Sequence, residues 1–308
     1  MVSDDFGMVI PILSEVIVRS FLLASLKNTA LAVSGHGLGR VKFIRATYEF
    51  FFRTFKPSRT RVQGHWMWLD EKDTLELATR EIYEPMETAF LKRNLAAGQT
   101  FLDIGANIGY YTLLAARQVG PKGKVIAFEP DPDNFDLLKK NVQENGYANV
   151  RLVQKAVSDK AIRSRLFLSE SNKGDHRIFD SKDGRPSIPI SSIRLDAFIK
   201  RMDRKVHFIK MDIQGAESKA LVGMTSLIRK NERLILVTEF CPAGLKRAGA
   251  SAQKYFLDLK RLGFRVFEVS EAQKKVSPAD LSDILRRCTL DNDGYTNLAC
   301  MKNISPKV

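Results

Sequence analysis

The sequence predicts an α/β fold in which helices cover both faces of a largely parallel sheet. From residue 100 onward, short apolar runs of strand length alternate with segments of helical periodicity, which is the pattern of such a sheet. Helix start and stop signals separate the runs. The 308 residues, 44% of them hydrophobic, are enough to bury a substantial core.

Seven strands are predicted, at TFLDIG, KVIAFEP, VRLVQKAV, VHFIKMDI, RLILVTEF, FRVFEVS and TNLACMK. A helix over Tyr110–Val119 lies between the first two strands. The next helix starts with Asp131 as its N-cap, followed by a proline, and closes at Gly146. Two further helices are predicted, over Ala216–Lys230 and Ser251–Leu262.

The segment between the third and fourth strands, residues 159–205, is longer than one crossover helix requires. Its runs RLFLSE and SIPIS predict a hairpin inserted over the ligand-binding edge of the sheet. We therefore expect this insertion to contribute to the substrate side of a domain that spans residues 81–308.

Residues 1–80 are predicted to form a separate, mainly helical N-terminal extension. In its segment RVKFIRATYEFFFRTFK, four aromatic or aliphatic residues from Ile44 to Phe55 recur at helical spacing beside a stripe of Lys and Arg. Two interpretations stay open. The helix packs on the core with its charges in solvent, or it rests on an anionic lipid surface.

The composition gives 49 Lys and Arg against 35 Asp and Glu, a net charge of +14. Such a charge suits nucleic acid, an anionic membrane or an acidic substrate, and does not choose among them. Three cysteines without CxxC spacing and four scattered histidines argue against a zinc site or a disulfide framework. The apolar stretch from Met8 to Val33 is interrupted by Glu15, Arg19 and Lys27, so no signal peptide or membrane span is predicted. A cytoplasmic location follows as the default, with peripheral contact at the inner membrane surface if the extension binds lipid.

The stretch FLDIGANIGY identifies a ligand site. Asp103 ends the first predicted strand, Gly105 and Gly109 follow it, and Glu129 ends the second strand. In open parallel sheets a ligand binds outside the carboxyl ends of the strands, at the switch point where these residues would converge. Taken singly, an acid at a strand end is usually a cap and a glycine usually makes a turn, so the prediction rests on their combination.

The ligand is not expected to be a dinucleotide. Ala106 and Asn107 give GxxxG instead of GxGxxG, and Asp103 would repel a pyrophosphate. S-adenosylmethionine fits better because it has no phosphate and carries an ammonium and a sulfonium, which a carboxylate favours. Glu129 can accept both hydroxyls of its ribose, and the glycines let the backbone approach its methionine portion.

The chain resembles the FkbM family of S-adenosylmethionine-dependent methyltransferases. FLDIGANIGYYT, GKVIAFEPDPDNFDLLKKNV, KAVSD, FIKMDIQGAESKAL and VTEF occur in the order seen in that family, from near residue 80 to near residue 270. The resemblance implies a seven-stranded class I methyltransferase fold, Rossmann-like and with its last strand antiparallel, and O-methylation of small molecules or sugars. It carries over these cofactor residues: Asp103, Gly105, Ala106, Asn107, Gly109 and Glu129.

The resemblance also implies an adenine site. In KAVSD, Ala156 and Val157 would supply apolar contact and Asp159 would accept a hydrogen bond from the exocyclic amine. Gln214 stands where many relatives have a second acid, which leaves the role of that position open.

Methyl transfer to a hydroxyl needs in-line alignment and a group that takes the proton. The candidate bases are Asp212 and Glu239, which end the fourth and fifth strands, and His176 in the insertion. A solvated loop histidine is an equal interpretation of His176. Asp212 and Glu239 could share a divalent cation, but the sequence offers no third ligand, so no metal is predicted.

The predicted function is methyl transfer from S-adenosylmethionine to a hydroxyl of a small molecule, sugar or glycolipid. An RNA or DNA methyltransferase is the main alternative because of the charge of +14. DIQGAE follows the fourth strand instead of a proline-flanked aromatic motif that grips an exocyclic nitrogen, which disfavours a nucleic acid partner. A membrane-associated cofactor-binding protein without catalysis is a third hypothesis.

Overall fold

The computed structural model describes residues 56–170, 172–200 and 205–307. The chain divides into two compact units, Met1–Tyr83 and Glu84–Val308. The predicted helix around residues 44–55 and the apolar stretch of residues 8–33 lie outside the described residues.

The described part of the first unit contains a β-hairpin. Strands β1 (Arg59–Val62) and β2 (His65–Trp68) pair antiparallel, and the two residues between them, Gln63 and Gly64, have φ of 50° and 80°. Two central residues with positive φ form the turn that matches the twist of a tight hairpin. A guanidinium of β1 lies 4.8 and 5.4 Å from the centroids of the two indole rings of β2. The hairpin adds a β element to the extension predicted over residues 1–80.

The second unit is built on an eight-stranded sheet, and a three-stranded sheet accompanies it. The strands of this unit are β3 (Thr100–Ile104), β4 (Lys124–Phe128), β5 (Val150–Val153), β6 (Ala156–Val157), β7 (Arg163–Phe167), β8 (Ser187–Ile193), β9 (Phe208–Met211), β10 (Leu234–Phe240), β11 (Arg265–Ser270), β12 (Lys275–Pro278) and β13 (Thr296–Lys302).

The order in the large sheet is β12-β11-β13-β10-β9-β3-β4-β5. Strands β5, β4, β3, β9 and β10 run parallel, and β13 runs antiparallel between β10 and β11. The chain starts in the middle at β3, moves outward to β4 and β5, and returns to place β9 on the other side of β3. The switch point therefore lies between β3 and β9. This arrangement confirms the predicted class I methyltransferase fold.

Nine helices connect or flank the strands of the second unit within the described residues. They are α1 (Pro85–Asn94), α2 (Tyr110–Val119), α3 (Pro132–Glu144), α4 (Leu195–Ile199), α5 (Glu217–Gly223), α6 (Thr225–Lys230), α7 (Pro242–Arg247), α8 (Ala252–Arg261) and α9 (Leu281–Arg287). Because the strand order reverses at β3, right-handed crossovers place the helices on opposite faces of the sheet.

The strands and helices predicted for the second unit agree with the structure apart from two local interruptions, and the structure adds strand β12 and the helices α1, α4, α7 and α9. The predicted third strand stops at Val153, and its last residues pair in the small sheet as β6. The predicted helix over Ala216–Lys230 is interrupted at Met224, where φ is −122°, and continues as α6. Strand β12 adds an antiparallel edge next to β11.

The insertion forms the predicted hairpin. Strands β7 and β8 pair antiparallel, and β8 also pairs in parallel with β6. The small sheet therefore starts directly after β5, at the edge of the large sheet where β4 and β5 end. The segment between the hairpin strands, residues 168–186, reaches the start of α3 through contacts described below.

Candidate active site

A glycine turn follows β3. Gly105, Asn107 and Gly109 have φ of 83°, 49° and 99°, a conformation that glycine adopts at little cost. A Cβ atom on Gly105 would overlap the carbonyl oxygen of Asp212, and one on Gly109 would lie 2.7 Å from a methyl group of Leu138. Packing therefore requires glycine at position 105, where the turn meets the end of β9, and the positive φ favours glycine at position 109, which faces Leu138 of α3.

Glu129 joins this turn to the end of β4. One carboxylate oxygen accepts a hydrogen bond from the backbone N–H of Asn107 at 2.8 Å, and the other accepts one from the N–H of Asp131 at 2.9 Å. Burial raises the pKa of Glu129 to about 8, although the two N–H groups act to lower it. Each oxygen keeps a lone pair for a hydroxyl donor.

Asp103 lies inside the protein next to the turn. Only 1% of its surface is exposed, and its carboxylate accepts a hydrogen bond from the Thr112 hydroxyl of α2 at 2.5 Å. Burial raises its pKa to about 6, while the Thr112 hydrogen bond and the Lys210 charge act in the opposite direction. Asp103 therefore fixes the start of α2 and sets the local charge, and it offers little open surface.

The predicted adenine residues lie just beyond β5. Ala156 and Val157 are buried in β6, and Val157 also belongs to the main apolar core. Asp159 is half-buried, its carboxylate accepts from the Ser158 hydroxyl at 3.0 Å, and its carbonyl accepts from Arg194 at 2.7 Å. The small sheet therefore holds this segment beside the end of β4.

The structure brings the predicted bases Asp212 and Glu239 together. The side-chain amide of Gln214 donates to Asp212 at 2.8 Å and lies 3.4 Å from both carboxyl oxygens of Glu239. The ammonium of Lys210 lies 3.5 Å from the other oxygen of Asp212. Burial, then the Asp212 charge and the Glu217 charge, raise the pKa of Glu239 well above its usual value. This shift favours the protonated form of Glu239 beside Asp212.

Two further acids complete this region, and the sequence analysis did not predict them. Glu87 is buried in α1 and lies 3.1 Å from the ammonium of Lys210. Glu84 precedes α1 with φ of 41°, and its carboxylate accepts from the Tyr111 hydroxyl at 3.0 Å and from Asn297 at 3.3 Å. Burial raises the pKa of Glu84, and it raises that of Glu87 to about 8. Local patterns give no signal for contacts between chain segments so far apart.

We call these side chains the acidic cluster: Glu84, Glu87, Asp212 and Glu239, together with Lys210, which pairs with Glu87 and Asp212, and Gln214, which donates to Asp212 and Glu239. The positive charge of Lys210 acts against burial and lowers the pKa values of three of these acids, Glu84, Glu87 and Glu239. The cluster lies at the carboxyl ends of β9 and β10, next to the glycine turn.

His176 lies elsewhere. Its Nε2 atom is 3.8 Å from a carboxylate oxygen of Asp131, and its Nδ1 atom accepts from the backbone N–H of Ser169 at 3.0 Å. Burial lowers the pKa of His176. The same loop contacts α3 again, where Lys173 pairs with Asp133 at 3.0 Å. The structure thus places His176 beside Asp131, two residues after Glu129, and not beside Asp212 and Glu239.

In residues 56–170, 172–200 and 205–307, no three His, Cys, Asp or Glu side chains are arranged to hold a metal ion. Within those same ranges, no helix combines the length and the apolar character needed to cross a bilayer.

The donor set fits S-adenosylmethionine. Glu129 offers buried carboxyl oxygens to a ribose diol, and the glycine turn lets the backbone approach an amino acid portion. Ala156 and Val157 give an apolar edge for an adenine ring. The carboxyl groups of the acidic cluster lie next to the glycine turn, and those that are ionised would attract the ammonium and the sulfonium.

Comparison with known proteins supports this assignment. The methyltransferase FkbM domain matches residues 103–266, more than half of the chain. Methyltransferase sdnD of Sordaria araneosa is 23% identical over 190 residues, which are 50% of this chain and 71% of sdnD. Hexuronic acid methyltransferase AglP of Haloferax volcanii is 29% identical over 128 residues, which are 41% of this chain and 50% of AglP.

Other known proteins are similar to this chain over a shorter stretch or more distantly. A probable cobalt-precorrin-6B C(15)-methyltransferase of Sulfolobus acidocaldarius is 39% identical over 66 residues, 21% of this chain, and the match spans 34% of that protein. The solved structure of an S-adenosylmethionine-dependent O-methyltransferase from Thermotoga maritima superposes with a TM-score of 0.42 at 15% identity, covering 84% of this chain and 83% of that one.

The domain match begins at Asp103 and ends at Val266 within β11, so it contains the glycine turn, Glu129, Asp212 and Glu239. The strand order of the sheet is that of class I methyltransferases. The chain therefore belongs to the FkbM methyltransferase family, and it is a methyltransferase that depends on S-adenosylmethionine.

Proposed function

We propose that the protein transfers the methyl group of S-adenosylmethionine to a hydroxyl of a small molecule, a sugar or a glycolipid. The observation that carries this proposal is the pairing of Asp212 and Glu239 through Gln214, next to the glycine turn. A hydroxyl is a weak nucleophile until its proton is removed, and a carboxylate at hydrogen-bonding distance can remove it.

Bound S-adenosylmethionine would supply an electrophilic methyl group on its sulfonium. Glu129 would hold the ribose, the glycine turn the methionine portion, and residues 156–159 the adenine. Asp212 accepts the proton of the acceptor hydroxyl, and Glu239 offers a hydrogen bond to a neighbouring oxygen. Because displacement is in line, most of the rate enhancement comes from the alignment of these groups.

The acidic cluster supports a neutral acceptor over a polyanion. It carries four carboxyl groups and one ammonium, whereas residues 36–61 hold seven Lys or Arg and one acid. Part of the basic excess thus lies in residues 36–61 of the sequence, whereas the carboxyl groups of the candidate site favour a hydroxylated acceptor that can donate hydrogen bonds to them over a phosphate backbone, which cannot. AglP, a relative by sequence, is named as a hexuronic acid methyltransferase, which favours a sugar.

Fractionated cell extract tests the proposal. The protein is incubated with extract and methyl-labelled S-adenosylmethionine, and label is counted in glycan, glycolipid, small-molecule and nucleic acid fractions. We expect label in one of the first three and background counts in RNA and DNA. Label confined to nucleic acid would favour the main alternative. Tight cofactor binding without label in any fraction would favour a protein without catalysis.

A further inference from the structure

Gln214 adopts an unusual backbone conformation at the acidic cluster. Its φ is 55°, in the left-handed region that side chains other than glycine rarely adopt, and Gly215 follows with φ of 102°. The carboxylate of Glu217 fixes this turn, since it accepts from the backbone N–H groups of Ile213 and Gly215 at 3.1 Å each. The strained turn is therefore firmly held, and it directs the Gln214 side chain towards β10.

The amide of Gln214 lies between two carboxyl groups. It donates to Asp212 at 2.8 Å and approaches Glu239 at 3.4 Å. The two acids extend from neighbouring parallel strands, β9 and β10, and would repel each other if both were charged. Lys210 faces Asp212 from the opposite side at 3.5 Å. Gln214 is thus the uncharged donor that holds the pair together.

An acid at position 214 would have a different effect. It would remove the donor and put a third carboxyl group beside Asp212 and Glu239, and such a group of oxygens attracts cations. A neutral amide keeps the two acids close without adding charge. A hydroxyl of the acceptor can then approach Asp212 without competition from a tightly held cation.

We propose that Gln214 is a positioning and specificity-determining residue, which holds Asp212 and Glu239 facing the transferred methyl group and tunes the site for neutral acceptors over cationic ones. This inference rests on the proposed function, because it requires the acidic cluster to face the methyl group of the cofactor. The residue acts through Asp212 and Glu239 and needs no contact with the cofactor itself.

Two cofactor analogues report on this charge directly. In sinefungin a carbon replaces the sulfonium sulfur, and an amine on that carbon replaces the methyl group. S-adenosylhomocysteine has no group at the methyl position. The ratio of their affinities, measured by calorimetry at pH 7, therefore reports the negative charge that faces the methyl position. No acceptor is needed for the measurement.

The variants are Gln214→Glu, Gln214→Met and, as a matched charge control, Gln273→Glu in the exposed turn between β11 and β12. Gln214→Glu should raise the preference for sinefungin about tenfold, as one added charge at a few ångströms implies. Gln214→Met should lower it about threefold, because the acids lose the donor that holds them in place. The control should match the parent protein.

The affinity for S-adenosylhomocysteine separates this inference from the proposed function. It should stay within about twofold of the parent in all three variants, which also shows that they fold. If the parent protein binds neither analogue, the cofactor assignment fails. If both analogues bind but the preference is unchanged in both Gln214 variants, or shifts in the same direction in both, the role assigned to Gln214 is wrong.

Discussion

At the residue scale, the site depends on carboxyl groups that the fold buries. Glu129 is 5% exposed and its pKa is raised by burial to about 8, so the free protein holds it largely protonated at neutral pH. Two backbone N–H groups nevertheless point at its oxygens. A diol that donates hydrogen bonds would stabilise the ionised form, so cofactor binding and proton release should be coupled.

We therefore expect the affinity for S-adenosylhomocysteine to rise from pH 6 to pH 8, because Glu129 must lose a proton to accept both ribose hydroxyls. This affinity can rise by at most about tenfold per pH unit below the pKa of Glu129. Glu129→Gln should abolish this slope and weaken binding by about 1.5 to 3 kcal/mol. Calorimetry in two buffers of different ionisation enthalpy counts the released proton, and equal heats in both would contradict the coupling.

A second expectation separates the candidate bases. Asp212→Asn should lower turnover by about 10²- to 10⁴-fold with little change in cofactor affinity, because it removes a proton acceptor. Glu239→Gln should have a smaller effect, since burial raises the pKa of Glu239 and so favours its protonated form, which cannot take a proton from the acceptor. The contact with Asp131 predicts that His176→Ala changes cofactor affinity instead of turnover. A loss of turnover in His176→Ala alone would assign the base to His176.

At the element scale, the glycine turn is held by the helix next to it. The side-chain amide of Asn141, buried in α3, donates to the carbonyl of Ile108 at 2.8 Å. The same helix carries Leu138, which closes over Gly109. The position of the cofactor turn thus depends on how α3 packs against it.

Asn141→Ala should destabilise the protein by about 1 to 3 kcal/mol, the cost of leaving a buried carbonyl without a donor. It should also weaken cofactor binding, because the turn that carries Ile108 loses its anchor. Asn145→Ala, on the same helix, removes a bond to the carbonyl of Asn141 within α3 and serves as the control. Denaturant unfolding and calorimetry measure both effects. Equal losses in the two variants would show that helix stability alone is at stake.

The sequence predicted the elements whose signals are local. TFLDIG and the helix over Tyr110–Val119 agree with β3 and α2 because an apolar run marks the strand, and Gly120 and Pro121 mark the end of the helix. The interruption at Met224 was missed because the apolar periodicity continues through it. Glu84 was missed for another reason: its partner Asn297 is 213 residues away, and only the completed sheet brings the two together.

At the scale of the whole molecule, positive and negative charge are segregated along the chain. The net charge is +14, yet the candidate site gathers four acids around one lysine. The basic segment of residues 36–61 is separate in sequence from the residues of that site. We propose that this segment makes peripheral contact with an anionic membrane. The basic stripe beside an aromatic face that its sequence predicts favours such contact.

Co-sedimentation with vesicles tests this proposal. Binding should be stronger to vesicles that contain anionic lipid than to neutral ones, and it should weaken as salt is raised, because the attraction is electrostatic. Replacing Lys42, Arg45 and Arg53 by Gln should reduce binding. Equal binding to both kinds of vesicle, or none at low salt, would support a helix packed on the core.

Methyl transfer to oxygen is tested by identifying the atom that carries the transferred methyl group. The protein is incubated with extract and ¹³C-methyl S-adenosylmethionine, and the labelled product is isolated and characterised by NMR and mass spectrometry. We expect an O-methyl group on a hydroxylated small molecule, glycan or glycolipid, and a yield of that product at least about 100-fold lower with Asp212→Asn. A methyl group on nitrogen or carbon, or a product formed equally well by Asp212→Asn, would contradict it.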